Sequence, residues 1–380
     1  MQAKYNTRIF LTILLATFAL ILLPIAILNW AVDPFDLFQH KLFGLTRANK
    51  AQVERHQRLV KAADIMKLKP EGLVLGSSRV LEGIDIACLE GHCHLNCYNC
   101  GLPGANMEEI LAYLQHALHN QPHLKLVVIG VDLFAFNGNR LPRRDFSAAR
   151  LNRSSLPQNE QFQLLLTYDA LRATFKTLFP KSKQLILDEK GFLLAQGMDA
   201  HLNRSHRPYE EKELRVLKRL FSNGDIYGNF NLSPQAIGQF KQLAALCRTH
   251  DITLKAFISP MRAHYWYALY EQGLWPAFEE LRRQLSEAAD LVDLSGINPI
   301  TDHPLSEDKR DRYFDMSHYR PEVGEQVLAI LFASEHPYLL TKDNYFEASP
   351  EPIIKWAEQH PADRDFVITT LEAAKRDLKK

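Results

Sequence analysis

The sequence predicts an α/β protein: a three-layer α/β/α domain around a central parallel sheet, preceded by one transmembrane helix. Two observations carry this. Short apolar runs bounded by glycine or turn residues alternate with amphipathic segments of helical length, the pattern of a parallel sheet covered on both faces. Ahead of them, no charged residue occurs from Ile9 to Val32.

As a helix, Ile9–Val32 would be roughly 36 Å long at about 1.5 Å per residue, enough to cross a hydrocarbon core of about 30 Å with some tilt. Pro24 is tolerable within a membrane helix. Lys4 and Arg8 precede the stretch, whereas Asp33 to His40 holds two Asp and no Lys or Arg. This asymmetry places the N-terminus in the cytoplasm and the remaining chain outside it, as a single-pass protein of the inner (plasma) membrane with a periplasmic or otherwise extracytoplasmic domain. A signal peptide has a shorter apolar region, and no clear small-x-small cleavage site precedes Asp33.

Asn49–Lys67 reads as a surface helix, and Gly72–Leu75 as a buried strand ending at Gly76-Ser77-Ser78-Arg79. Glu108–His119 is a helix, and Leu124–Val131 a strand ending at Asp132. Gln235–Thr249 and Thr253–Ile258 repeat the pattern, as do Ala277–Ala289 and Leu291–Leu294, before a last domain helix at Val323–Phe332. The rhythm breaks from about 137 to 228, an insertion or lid with a helical patch at Phe162–Leu178. The domain is expected to span 33–336, with 337–380 as a tail carrying a helix from Asp365 to Leu378.

The 45 basic and 44 acidic residues nearly cancel, and no basic run interleaved with aromatics appears, which argues against nucleic acid as a partner. Gly-x-Gly-x-x-Gly and the P-loop pattern are absent, and no cofactor is expected. Cys88, Cys93, Cys97 and Cys100 are crowded, and Cys247 stands apart. Disulfides, free buried thiols and a zinc site are the three readings; an oxidising compartment favours at least one disulfide, and no standard finger spacing supports zinc.

In an open parallel sheet, ligands sit beyond the carboxyl ends of the strands. That rule gathers Ser77, Ser78, Arg79, Asp132 and Ser259 on one rim. A serine nucleophile needs a base, an acid that orients the base, and oxyanion donors. Asp315-Met316-Ser317-His318, the only Asp-x-x-His in the chain, lies just before the last domain helix. The structural alternative for Ser77 and Ser78 is a helix cap.

Gly76-Ser77-Ser78 after a first strand and Asp315-x-x-His318 before a last helix resemble the SGNH/GDSL hydrolase superfamily. The resemblance implies a flavodoxin-like sheet, with Ser78 as nucleophile, His318 as base and Asp315 as its orienter. Asn99–Asn106 is similar to the second motif, with Gly104 as oxyanion donor. In the third motif Asp132 stands where the family has Asn, and Ser77 replaces an Asp. An ionised Asp132 would repel an oxyanion, so it is either protonated or bound to a neighbour such as Arg79, or the donor is Asn106 or Asn137. Arg79, and His264 further along, would also suit an anionic or sugar substrate. The anchored start looks like the branch that modifies envelope polymers. It implies an esterase or O-acyltransferase acting on an acyl ester of a cell-envelope glycan or lipid, with a multi-span acyltransferase as candidate partner. The rival reading is a non-catalytic binding or scaffold subunit of the same fold.

Overall fold

The computed structural model describes residues 2–38, 42–50, 52–180, 186–194, 209–304, 312–335 and 337–378. Part of the expected insertion, at 181–185 and 195–208, therefore lies outside the described residues. The first element is α1 (Gln2–Val32), in which Thr7–Val32 is long and apolar enough to cross a membrane. Below it, Asp33 and Asp36 enter a buried ionic knot. Arg47 binds Asp36 and Asp64 at 2.7 Å each, Lys50 binds Asp36 at 2.7 Å, and Tyr98 donates to Asp64. Breaking such a buried pair costs about 3–5 kcal/mol, so this knot joins the base of α1 firmly to the domain.

Then follow α2 (Gln52–Arg55), α3 (Gln57–Leu68), β1 (Gly72–Leu75), α4 (Ser78–Gly83), α5 (Ile86–Cys93), β2 (Cys97–Asn99), α6 (Met107–Asn120) and β3 (Leu126–Val131). The inserted segment holds α7 (Gln158–Leu166), α8 (Tyr168–Leu178) and α9 (Tyr209–Ser222). After it come α10 (Pro234–Thr249), β4 (Thr253–Ile258), α11 (Ala263–Glu271), α12 (Trp275–Ser286), β5 (Leu291–Asp293), β6 (Tyr313–Asp315), β7 (His318–Tyr319) and α13 (Pro321–Phe332). The chain ends with β8 (Leu339–Leu340), α14 (Glu351–Gln359) and α15 (Pro361–Leu378).

The main sheet runs β2-β1-β3-β4-β5-β8, parallel throughout except for the edge pair β5–β8. Its side chains alternate between two cores. Leu73, Leu75, Val127 and Ile129 join one with α6 and α10; Val74, Val128 and Phe257 join the other with α4, α5 and α13. Both faces are thus buried, which explains why the strands read as unbroken apolar runs.

Three expectations need correction. The Phe162–Leu178 patch is two helices, because Thr167 turns extended and its hydroxyl caps α8 through the Ala170 amide. The stretch 337–380 holds more than the one helix expected from Asp365 to Leu378: β8 pairs with the sheet, α14 precedes α15, which starts at Pro361, Trp356 is buried in the main core, and α15 packs on α9 and α11. All five cysteines are thiols, with Cys93 Sγ 3.5 Å from Cys97 Sγ, so no disulfide is formed although this pair is poised for one. Among the described residues, no group of three or more His, Cys, Asp or Glu could hold a metal ion.

At the crossing of α13 over α4, Gly324 faces the Gly83 carbonyl so closely that a Cβ would overlap it. Glycine is required there by space. Gly324→Ala should therefore lower stability by about 1–3 kcal/mol, seen as an earlier midpoint in denaturant; an unchanged midpoint would show that this crossing is loose.

Candidate active site

β1 is followed by Gly76, whose φ of 140° is open to glycine alone and whose α-carbon faces the Gly130 carbonyl. The chain turns sharply there into α4. Ser77 caps that helix, accepting from the Arg79 amide at 3.2 Å. Ser78 follows as its first residue, with its side chain toward a cleft of about 250 Å³.

Ser78 Oγ lies 2.9 Å from His318 Nε2. His318 Nδ1 lies 2.9 Å from both oxygens of Asp315. With Nδ1–H donating to Asp315, the neutral imidazole presents its Nε2 lone pair to the Ser78 hydroxyl. Asp315 is fixed in turn by the Ser317 amide at 2.8 Å and the His318 amide at 3.0 Å. The turn carrying these residues joins β6 to β7 and is clamped from two sides. Glu213 of α9 accepts from the Met316 amide at 2.7 Å, and the Arg262 amide donates to the Met316 carbonyl at 3.0 Å. Glu213 also faces Arg262 at 3.5 Å and His264 at 3.8 Å, all three fully buried. An inserted helix thereby reaches the site from a sequence position that gave no hint of it.

Arg79 and Asp132 form a buried ion pair behind Ser78, at 2.6 Å. The other Asp132 oxygen accepts from the Ser77 hydroxyl. Arg79 also donates to Tyr265, and its guanidinium lies 5.2 Å from the Phe134 ring centroid and 5.1 Å from that of Tyr265. Burial works against its charge, but Asp132 overrides this and holds Arg79 well above its ordinary pKa.

Of the expected oxyanion and substrate residues, Gly104 and Arg79 line the cleft. The Gly104 carbonyl is taken by Arg140 at 3.1 Å from Nε, and among the described residues nothing accepts from its N–H. Asp132 and Asn106 do not line the cleft; for Asp132, the alternative of binding Arg79 is the one found. Asp132 is occupied by Arg79 and Ser77. Asn106 caps α6, reciprocally with Glu109, and donates to the Arg140 carbonyl at 3.0 Å. Asn137 is likewise spent on the Ile226 carbonyl at 2.9 Å. His264 is buried beside Glu213 and does not line the cleft.

A further carboxyl went unread. Glu82 lies four residues after Ser78, hence on the same helical face, and its Oε2 is buried with no partner. Burial pushes its pKa up to about 7, against the influence of His318. Burial also opposes the His318 imidazolium, yet Asp315 and then Glu82 outweigh it and raise His318 to about 9. Burial likewise opposes the Asp315 charge, and His318 overcomes it, holding Asp315 below the usual carboxylate range. The i+4 spacing from Ser78 was the one signal in the sequence that could have found Glu82.

No protein-family model matches this chain, and neither a curated protein nor a solved structure is significantly similar to it. The class that fold and geometry define is therefore an α/β protein with a serine–histidine–aspartate arrangement at its sheet rim.

Only the neutral imidazole can accept the Ser78 proton. The rate at which a fluorophosphonate labels Ser78 should thus rise about tenfold per pH unit and level off near pH 9. Glu82→Gln removes a charge that raises His318, so its plateau should begin at lower pH. A wild-type plateau near pH 6.5, or one unmoved by Glu82→Gln, would contradict this charge balance.

Proposed function

We propose that this protein is a membrane-anchored serine esterase or O-acyltransferase, acting outside the cytoplasm on an acyl ester of a cell-envelope glycan or lipid. The observation that carries the reading is the contact of Ser78 Oγ with His318 Nε2, 2.9 Å, with Asp315 on the far ring nitrogen. Its support from the fold is the strand order β2-β1-β3-β4-β5, which is flavodoxin-like and suits the three-layer SGNH-like arrangement. α1 is the anchor, oriented by Lys4 and Arg8 on its cytoplasmic side.

The chemistry follows from the geometry. His318 takes the Ser78 proton as Oγ attacks the ester carbonyl, and Asp315 stabilises the resulting imidazolium. The Ser78 and Gly104 amides are the donors for the oxyanion. Collapse breaks the ester C–O bond, and His318 returns the proton to the leaving alcohol. Water, or a glycan hydroxyl, then attacks the acyl-serine with His318 again as base.

Arg79, Arg140, Arg143 and Arg219 line the cleft, and among the described residues no carboxylate does. Arg79 is neutralised by Asp132, while Arg140 and Arg143 share Asp225 at 3.5 and 3.9 Å. Arg219 is exposed and, among the described residues, has no ion pair. The surplus is positive, which favours an ester bearing negative charge.

With p-nitrophenyl acetate as substrate, Ser78→Ala should lower kcat by about four orders of magnitude. Arg219→Gln should leave that neutral ester unaffected and raise KM about fivefold for an acetyl ester carrying a carboxylate, the equivalent of about 1 kcal/mol. Turnover equal in wild type and Ser78→Ala would instead favour a non-catalytic scaffold.

A further inference from the structure

The inserted helices α7 and α8 do not cover the cleft; they grip the end of α1. Asn29 donates to the Leu165 carbonyl at 2.8 Å and accepts from the Thr174 hydroxyl at 2.7 Å. Asn29 itself is buried. It stands three residues before the end of the apolar span Thr7–Val32. That span of 26 residues is about 39 Å long at about 1.5 Å per residue, against about 30 Å of hydrocarbon. Asn29 and whatever holds it then sit at the depth of the lipid headgroups.

α8 has two faces. Ala170, Ala173, Thr174 and Thr177 point inward and are buried. Tyr168, Arg172 and Phe175 recur at i, i+4 and i+7, which places them together on the opposite face, and Phe179, just past the helix end, stacks on Phe175 with ring centroids 6.4 Å apart. Tyr168 is 77% exposed, Phe175 48% and Phe179 68%. On α7, Phe162 is 63% exposed, and Phe43, in a short turn packed against α1, 73%. Monomeric soluble domains rarely expose such a concentration of large apolar side chains in water. Aromatic side chains with an interspersed Arg are what a membrane–water interface selects.

We propose that α7 and α8 form a collar lying on the bilayer that α1 crosses, with Phe162, Phe175 and Phe179 set among the headgroups and upper acyl chains. The inference rests on α1 as a membrane span and is independent of the chemistry at Ser78. Its lipid occupant is argued from continuity: the same two helices hold α1 at headgroup depth through Asn29. A collar converts a flexible tether into a fixed stand. Together with the Arg47–Asp36–Lys50 knot, it sets the orientation of the domain, and so the height of the cleft, relative to the membrane.

The test uses the full chain in phosphatidylethanolamine–phosphatidylglycerol nanodiscs. The photocrosslinker p-benzoylphenylalanine replaces one residue at a time at Phe162, Phe175, Phe179, Phe18 and Phe346. Phe18 lies within α1, and Phe346 is 60% exposed beside α12 at the far edge of the sheet. Irradiation should give lipid adducts by mass spectrometry at Phe18, Phe162, Phe175 and Phe179, and none at Phe346. Adducts at Phe18 but not on α7 or α8 would overturn the collar while leaving the anchor in place. No adduct at Phe18 would overturn the anchor and the collar together. Crosslinks from Phe175 or Phe179 to a second protein chain would replace lipid with a protein partner and also overturn the proposal.

Discussion

The buried pair of Arg79 and Asp132 is the constraint on which the site depends. It ties the first turn of α4 to the end of β3, and so fixes where Ser78 stands. A guanidinium buried to this degree persists only when its charge and donors are met. Here Asp132 supplies the charge, Tyr265 an acceptor and two aromatic rings the flanks. The same carboxylate accepts from Ser77, so nucleophile loop, neighbouring strand and α11 meet in one network. Asp132 thus holds the floor of the site from behind Ser78, with both of its oxygens engaged.

The histidine is held by a different set of contacts. A turn of four residues, Asp315 to His318, could swing freely between its two short strands. Glu213 from α9 and the Arg262 amide fasten its Met316 at both backbone groups. Beneath it, α13 crosses α4 at a glycine-to-glycine contact, keeping His318 and Ser78 on adjoining elements. Glu82 and Asp315 then place two carboxyls near one imidazole. Burial opposes the imidazolium, and these carboxyls outweigh it, raising His318 to about 9.

Much of this was legible in the sequence because strand ends carry the chemistry. β1 and β4 fall where the apolar runs put them, and Ser78, Asp315 and His318 came from a short list of strand-end and pre-helix motifs. What stayed hidden depends on contacts between distant segments. β2 is only three residues long and lies inside the cysteine cluster, and β8 is only two, so neither shows an alternation that can be read. Glu213 sits in an insertion, and its partner is an amide 103 residues away. Asn106 resembled a site residue because capping and catalysis favour the same residue types after a glycine-rich turn. The aromatic stripe of α8 was in the sequence but has meaning only once α1 is seen beside it.

The central claim is that Ser78 is an activated nucleophile, and covalent labelling tests it most directly. The full chain, reacted with a fluorophosphonate above pH 8 and digested for mass spectrometry, should carry the adduct on Ser78, and the His318→Ala protein should remain unlabelled. An adduct on another serine, or equal labelling of Ser78 without His318, would contradict the account.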